Sequence, residues 1–332
     1  MKKPQRANFS FYLAILTLSL IVLLLFFLSL ILGSEPISLG KIATAFKEKD
    51  YSSFVLTIIL KIRLPRSILA LLSGALLAAS GTVFQGYFRN PLADPGLIGV
   101  SAGATLGAVI FSSLSLFIPI GAFFGGLMAV SLVYLIAGGS KTSTDSSRLL
   151  LSGTALGVLF AAITSVLLIL KDKEIYKMYL WTQGSFNAKG WNILFMVLFP
   201  SLLSFFLMFL TTKKLDLLSF GEKSAETLGL NLQGTKLLCL ISASLASASS
   251  VCAGGTIGFI GLIAPHTMRI LFGSRHKKLL PLSMLFGSSL VLFSDVLARK
   301  IAPPMEVPIG IITAFIGVPF FLFLLRRGRH DG

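Results

Sequence analysis

Charge is what this chain has least of. Only 13% of its 332 residues are Asp, Glu, Lys or Arg, about half the share found in soluble domains. That shortage excludes a solvated globular protein, and a mean hydropathy of +0.88 places the chain in membrane composition. Cysteine is nearly as scarce. Cys239 and Cys252 stand in one apolar stretch with no zinc or redox spacing, so they read as small buried core residues. A phosphate-binding G-x-x-x-x-G-K-[ST] loop is missing. Gly221-Glu222-Lys223-Ser224 resembles its end, but Glu222 intrudes between Gly and Lys, and Asp216 stands five residues before Gly221. The chain therefore binds no ATP of its own in that way. There is no low-complexity tract, and the polar gaps stop at about 20–30 residues, too short for a soluble domain.

Acid is scarcer than base, and the net charge is +16. A nucleic-acid surface would set its bases on an aromatic-studded soluble face. Here they cluster at the ends of apolar runs, where the positive-inside rule already expects them, so no nucleic-acid partner is expected.

What the chain has is long apolar runs. A basic start (Lys2, Lys3, Arg6) leads into Phe11–Gly33, roughly 34 Å as a helix and enough to cross a bilayer. A signal peptide has a shorter apolar core and an A-x-A-like end. Leu32-Gly33-Ser34 offers no such end, so a retained first helix is expected. Ten spans follow from the runs, near 11–33, 64–85, 97–113, 116–137, 148–170, 191–212, 236–253, 255–273, 279–298 and 308–327. The third and eighth are short and glycine-rich, which points to broken or tilted helices. An N-terminus inside leaves most Lys and Arg in the cytoplasm, with both termini there. Gly74, Ala75, Ala78, Ala79, Ser80 and Gly81 crowd the second span, and Ser242–Ser250 the seventh. Such small faces let helices approach closely in lipid, so the pattern predicts a packed all-α bundle, one transmembrane domain over 1–332.

Four polar features interrupt the oil. Gly221–Gly229 (GEKSAETLG) is a short amphipathic segment with Ala225 and Leu228 on one helical face. Arg89–Gly96 (RNPLADPG) carries two prolines that stiffen an interhelical turn. Arg63, Arg66 and Arg299 stand at expected outer span ends, against the inside bias. They read as interfacial anchors or as a dock for an acidic partner, since arginine pairs carboxylates bidentately. Asp295 and Arg299 are spaced i, i+4, which favours a structural ion pair. His266 reads as a packing residue before a proton relay, and Gln85 and Asn90 either face a pathway or satisfy backbone.

Together these stretches resemble the FecCD-type permeases, the membrane subunits of bacterial ABC importers for iron-siderophores, haem and cobalamin. The resemblance rests on RLPRSILALLSGALLAASG (63–81), Gln85, RNPLADPGLIGVSAGA (89–104), SSRLLLSGTALG (146–157), LSFGEKSAETLGLNL (218–232), GTIGFIGLIAPHTMR (255–269), LLPLSMLFGSSLVLFSDVLAR (279–299) and EVPIGIITAFIGVPFFLFLL (306–325). They occur in order across almost the whole chain. The resemblance implies an all-α polytopic membrane protein of about ten transmembrane helices, a BtuC-like type II importer permease of the bacterial inner membrane. It implies a second permease copy, identical or paralogous, two separate ATP-binding cassette ATPase subunits that hold the ATP, and an extracytoplasmic substrate-binding protein. No catalytic residue, metal site or cofactor of its own is implied.

Residue by residue, it implies a cytoplasmic gate at Asn90 and Leu92, with Ser146 in the loop before span five as a second gate position. It implies ATPase coupling helices at about 218–232, with Ala225, Leu228 and Gly229 as a small apolar contact. Gly221 begins that segment, and Glu222 and Glu226 would face the ATPase. It makes Arg63, Arg66 and Arg299 docking points for glutamates of the binding protein. A proton- or sodium-driven secondary transporter is the competing reading, and it would rely on Asp295 and His266 at mid-membrane. A non-transporting scaffold would need neither a coupling segment nor a proline-clamped gate. The cargo, an iron chelate, haem or cobalamin, is not legible.

Overall fold

The computed structural model of the chain describes residues 4–33, Gly40, Thr44, 54–139, 146–170 and 175–327, without the side chains of 4–9, 146, 175–177 and 323–327. All regular structure among the described residues is helical. The helices are α1 (Pro4–Ile31), α2 (Leu64–Phe88), α3 (Val100–Ser113), α4 (Ile118–Ile136), α5 (Ser146–Ile169) and α6 (Ile175–Thr182). They continue as α7 (Trp191–Leu218), α8 (Glu222–Thr227), α9 (Leu232–Gly254), α10 (Ile260–Phe272), α11 (His276–Lys300) and α12 (Ile309–Arg327). Each of the ten expected spans has its helix, and α6 and α8 are short additions between them. Seven helical stretches are long and apolar enough to cross a membrane. The helices α3 and α10 have 14 and 13 residues, about 20 Å each, which is less than a bilayer core.

The bundle is built around α2. A π-helical lead-in, Ile58–Arg63, runs straight into it, and 89% of its most apolar window is buried. Its neighbours are α7, α9, α10 and α11. Small residues make this possible. A Cβ on Gly74 would overlap the carbonyl of Gly287 in α11, and one on Gly81 that of Gly261 in α10. The same device joins α3 to α4, where Gly103 and Gly107 meet Gly125 and Gly121. In lipid, where apolar side chains gain little by leaving the solvent, close backbone approach and hydrogen bonds carry the packing. Ser80 Oγ donates to the Ala243 carbonyl of α9 at 2.8 Å, and Ser29 Oγ of α1 bonds Ser67 Oγ of α2 at 2.6 Å. Cys239 and Cys252 are free thiols inside this core. By contrast α1 and α5 are 11% and 17% buried over their apolar windows.

The two shortened helices have local causes. Asn90-Pro91 ends α2, because the residue before proline is pushed out of the α region. Arg89 closes the helix in the left-handed region at φ 49°, and its N–H and that of Asn90 cap the carbonyls of Gly86 and Gln85. Asp94-Pro95 then starts a single 3-10 turn, Pro95–Ile98, before α3 begins. On the facing segment, Gly255 (φ 75°) ends α9 and Phe259 (φ 67°) precedes α10. The two irregular segments meet inside the bundle, where a Cβ on Gly261 would sit 3.0 Å from Pro95 Cδ. Irregular backbone at that depth is tolerated only where protein or a water-filled cavity surrounds it. A cavity of about 320 Å³ lies there, bordered by Asp94, Ser101, Gln183, Ser247, Thr256 and Gly310.

Candidate functional site: the two ends of the bundle

One end of the bundle carries the paired prolines and the amphipathic segment. Asn90 is exposed, and its Oδ1 accepts the Leu92 N–H at 2.9 Å, an Asx turn that fixes the loop. Leu92 is 37% exposed, an apolar side chain held out on a rigid turn. Asp94 Oδ1 accepts the Gly96 N–H at 2.8 Å; the surrounding protein raises this carboxyl above the usual range, against the lowering effect of that bond. Gln85 satisfies backbone. It is buried, and its amide reaches the carbonyls of Gly261 and Leu262 at 3.3 Å each. The backbone of Ser146 opens α5, and its side chain lies outside the described residues.

The amphipathic segment is a single six-residue helix, α8, rather than a set of helices over 218–232. Gly221 (φ 103°) and Gly229 (φ 82°) bend the chain into and out of it, a conformation that side chains with a Cβ rarely adopt. One expectation is corrected here. Ala225 is fully buried within this chain, so it anchors α8 and offers no contact to a partner. Glu222 is partly exposed, with Oε2 2.8 Å from Lys236 Nζ of α9. Glu226 and Leu228 do face outward, Leu228 with 62% exposure, as does Phe220 just before the helix with 71%. Phe220 had a sequence signal, an aromatic flanking a glycine bend in a polar gap, that the i, i+3 pattern passed over.

A second contact at this end has no local signal. Asp216, near the end of α7, accepts the backbone N–H of His276 at 2.8 Å and holds its Nδ1 at 2.7 Å. The pair is 60 residues apart in sequence. Arg89 leans over the start of α8, where a Cβ on Gly221 would come 3.8 Å from its Nη1. The Arg89–Gly96 loop, α8 and the α10–α11 corner thus adjoin one another.

The opposite end gathers Arg63, Arg66 and Arg299, and here the picture of free outer arginines is corrected. All three are about 5% exposed or less, and all have partners. Arg66 forks onto fully buried Asp295 (Nη2 to Oδ1 2.8 Å, Nε to Oδ1 3.1 Å) and reaches Glu306 Oε1 at 2.9 Å. Arg299 Nη2 lies 2.8 Å from the other Asp295 oxygen. Its Nη1 also donates to the carbonyls of Ser29 and Leu32 at 3.0 and 2.9 Å. Arg63 donates to the carbonyls of Leu30 and Ile31 at 2.9 and 2.6 Å. The guanidinium forks close the open C-terminal carbonyls of α1, as cations at a helix C-terminus do. The i, i+4 pair is present, but Asp295 is shared between two arginines of different helices. His266 is half-buried in α10, with its Nδ1 unpartnered.

Comparison with known proteins agrees with this geometry. The profile described as the FecCD transport family matches residues 21–327. The chain belongs to the FecCD transport family. An Fe(3+)-citrate import system permease protein, YfmE of Bacillus subtilis, is 39% identical over 332 residues, 98% of each chain. The cobalamin import system permease BtuC of Halobacterium salinarum is 42% identical over 269 residues, 80% of this chain and 72% of that one. Among solved structures, one described as an inward-facing conformation of a metal-chelate type ABC transporter superposes with a TM-score of 0.84 at 33% identity. It covers 94% of this chain and 98% of that one. The FecCD permease described here is therefore a multi-pass membrane protein, and it is a permease subunit of the ABC-importer class.

Proposed function

We propose that this FecCD permease forms, with a second permease copy, the membrane path of an importer for a metal chelate or cobalamin, driven by separate ATPase subunits. The observation that carries the reading is the construction of α8. It is locked to its own chain by Ala225 and by the Glu222–Lys236 pair, while Phe220, Glu226 and Leu228 project from it. A small helix rigidly fixed on one side and apolar-tipped on the other suits the transmission of a partner's movement, because a loose contact would absorb it. We assign this end to the cytoplasm on the distribution of Lys and Arg. Leu228, Glu226 and Phe220 are the ATPase contact, with Gly221 and Gly229 as the bends that set its angle. Asn90 and Leu92, on a turn stiffened by two prolines, form the inner gate, with Ser146 at the start of α5.

At the outer end a substrate-binding protein docks over the face that covers the buried Arg63, Arg66 and Arg299, with Glu306 as its partly exposed edge. Its carboxylates compete with Glu306 for Arg66, since Glu306 is the partially exposed acid of the cluster and Asp295 the fully buried one. The cargo then crosses between the two permease copies. Ion-driven transport finds less support, because Asp295 is held between two arginines and is not poised to exchange a proton. Reconstitution of the permease with its ATPase and loaded binding protein in vesicles tests the proposal. Uptake of a ferric chelate or cobalamin that requires internal ATP and survives collapse of ion gradients is expected. Uptake that follows an ion gradient without ATP would refute it.

A further inference from the structure

The end of the bundle that carries α8 also holds a cavity of about 560 Å³, bordered by Gln85, Arg89, Asp216, Arg269, Arg275 and His276. Its charge is unbalanced. Among the described residues, Arg89, Arg269 and Arg275 form no ion pair. The single acid in the wall, Asp216, is committed to His276 through two contacts of 2.7 and 2.8 Å. His276 itself is 5% exposed. Its Nδ1 bonds Asp216 and its Nε2 packs against Gly86, so His276 fixes the acid and leaves it no reach toward the arginines. Three guanidiniums without an acidic partner therefore border one cavity.

We propose that this cavity binds a phosphate-bearing anion. The planar fork of arginine matches phosphate oxygens two at a time, and three forks from three segments suit a tetrahedral group better than a halide. The cavity exceeds what one small ion fills, so it also has room for a phosphate that carries a substituent. The surface beside it exposes Ile270 and Leu271 at 59% and 63%, an apolar margin on which the rest of a phospholipid would lie. The bound phosphate would tie the α2–α3 loop through Arg89, α10 through Arg269 and the start of α11 through Arg275. In that way it would brace the segment next to α8.

The test uses purified, delipidated full-length permease in a neutral detergent. Thermal unfolding is followed with inorganic phosphate, with short-chain phosphatidylglycerol and with phosphatidylcholine, each against chloride at equal ionic strength. Native mass spectrometry of undelipidated protein records retained lipid. Stabilisation by phosphate and phosphatidylglycerol alike identifies a free-anion site that accepts a headgroup. Stabilisation by phosphatidylglycerol alone, with the lipid retained, identifies the headgroup as the ligand. Either supports the proposal if Arg269→Gln with Arg275→Gln weakens binding about tenfold or more, while Arg269→Lys with Arg275→Lys keeps part of it. The wild-type titrations stand even where the glutamine variant does not fold. Equal response to chloride and phosphate, or to phosphatidylglycerol and phosphatidylcholine, would overturn the proposal. So would protection of these arginines from phenylglyoxal only when the ATPase is bound, which would assign the cavity to an acidic side chain of that subunit.

Discussion

Replacing Asp295 with Asn removes one charge and no volume, and the structure sets the size of the effect. Asp295 is fully buried and is shared by Arg66 and Arg299, with its two oxygens at 2.8 Å from a guanidinium nitrogen of each. The amide keeps one acceptor oxygen and turns a donor toward a second donor. Breaking a buried ion pair by removing one partner costs about 3–5 kcal/mol, because the remaining charge stays desolvated. Arg66 retains Glu306 at 2.9 Å and Arg299 retains two carbonyls, so the lower end of that range is expected. Glu306→Gln is the internal control. Its side chain is 18% exposed, water can replace part of the lost contact, and the cost should be about 1 kcal/mol or less. Unfolding by dodecyl sulfate in mixed micelles, followed by tryptophan fluorescence, measures both. A Asp295→Asn variant within about 1 kcal/mol of wild type, or one no worse than Glu306→Gln, would refute the reasoning that this cluster holds α1, α2 and α11 together.

Three further outcomes follow from the same contacts. Gly81→Ala places a methyl into the Gly261 carbonyl and should cost about 1–3 kcal/mol while parting α2 from α10, seen as a lower melting temperature and slower uptake; an unchanged melting temperature would contradict the close approach. Ala225→Asp sets a charge at a fully buried position and should melt α8, so protease cleavage near 222–227 rises as uptake falls, whereas uptake loss with α8 still protected would restore Ala225 to the partner surface. Asp94→Asn keeps the acceptor for the Gly96 N–H and removes a carboxyl whose proton affinity is raised by folding. A raised group loses folding stability as pH climbs through its folded value, so the variant should match or exceed wild-type stability at neutral pH, and a clear loss would count against that environment.

Periodicity and composition found the ten spans because each is an apolar run closed by charge or by a short glycine or serine break, and that signal is local. The shortened α3 and α10 were also legible, from short runs rich in glycine. What stayed hidden is pairing across the chain. Asp295 declared itself as an acid in an apolar helix, yet nothing in the sequence joined it to Arg66, 229 residues away. The Asp216–His276 contact was equally out of reach. Ala225 was misplaced for a related reason. An i, i+3 spacing shows that two residues share a helical face, but not whether that face turns to a partner or to the helix's own chain. On a six-residue helix both choices fit the pattern, and only the packing that buries Ala225 decides between them.

The central claim is that the exposed tip of α8 takes up the work of a separate ATPase. Its most direct test is purification of the tagged permease from native membranes in mild detergent, with the co-purifying subunits counted by mass spectrometry for wild type and for Leu228→Asp. Leu228 is 62% exposed, so the substitution leaves the fold of this chain intact. About one ATP-binding subunit per permease in the wild type, lost or sharply reduced in the variant, is the predicted result. A permease that is repeatedly recovered alone, or an ATPase retained undiminished by Leu228→Asp, would contradict it.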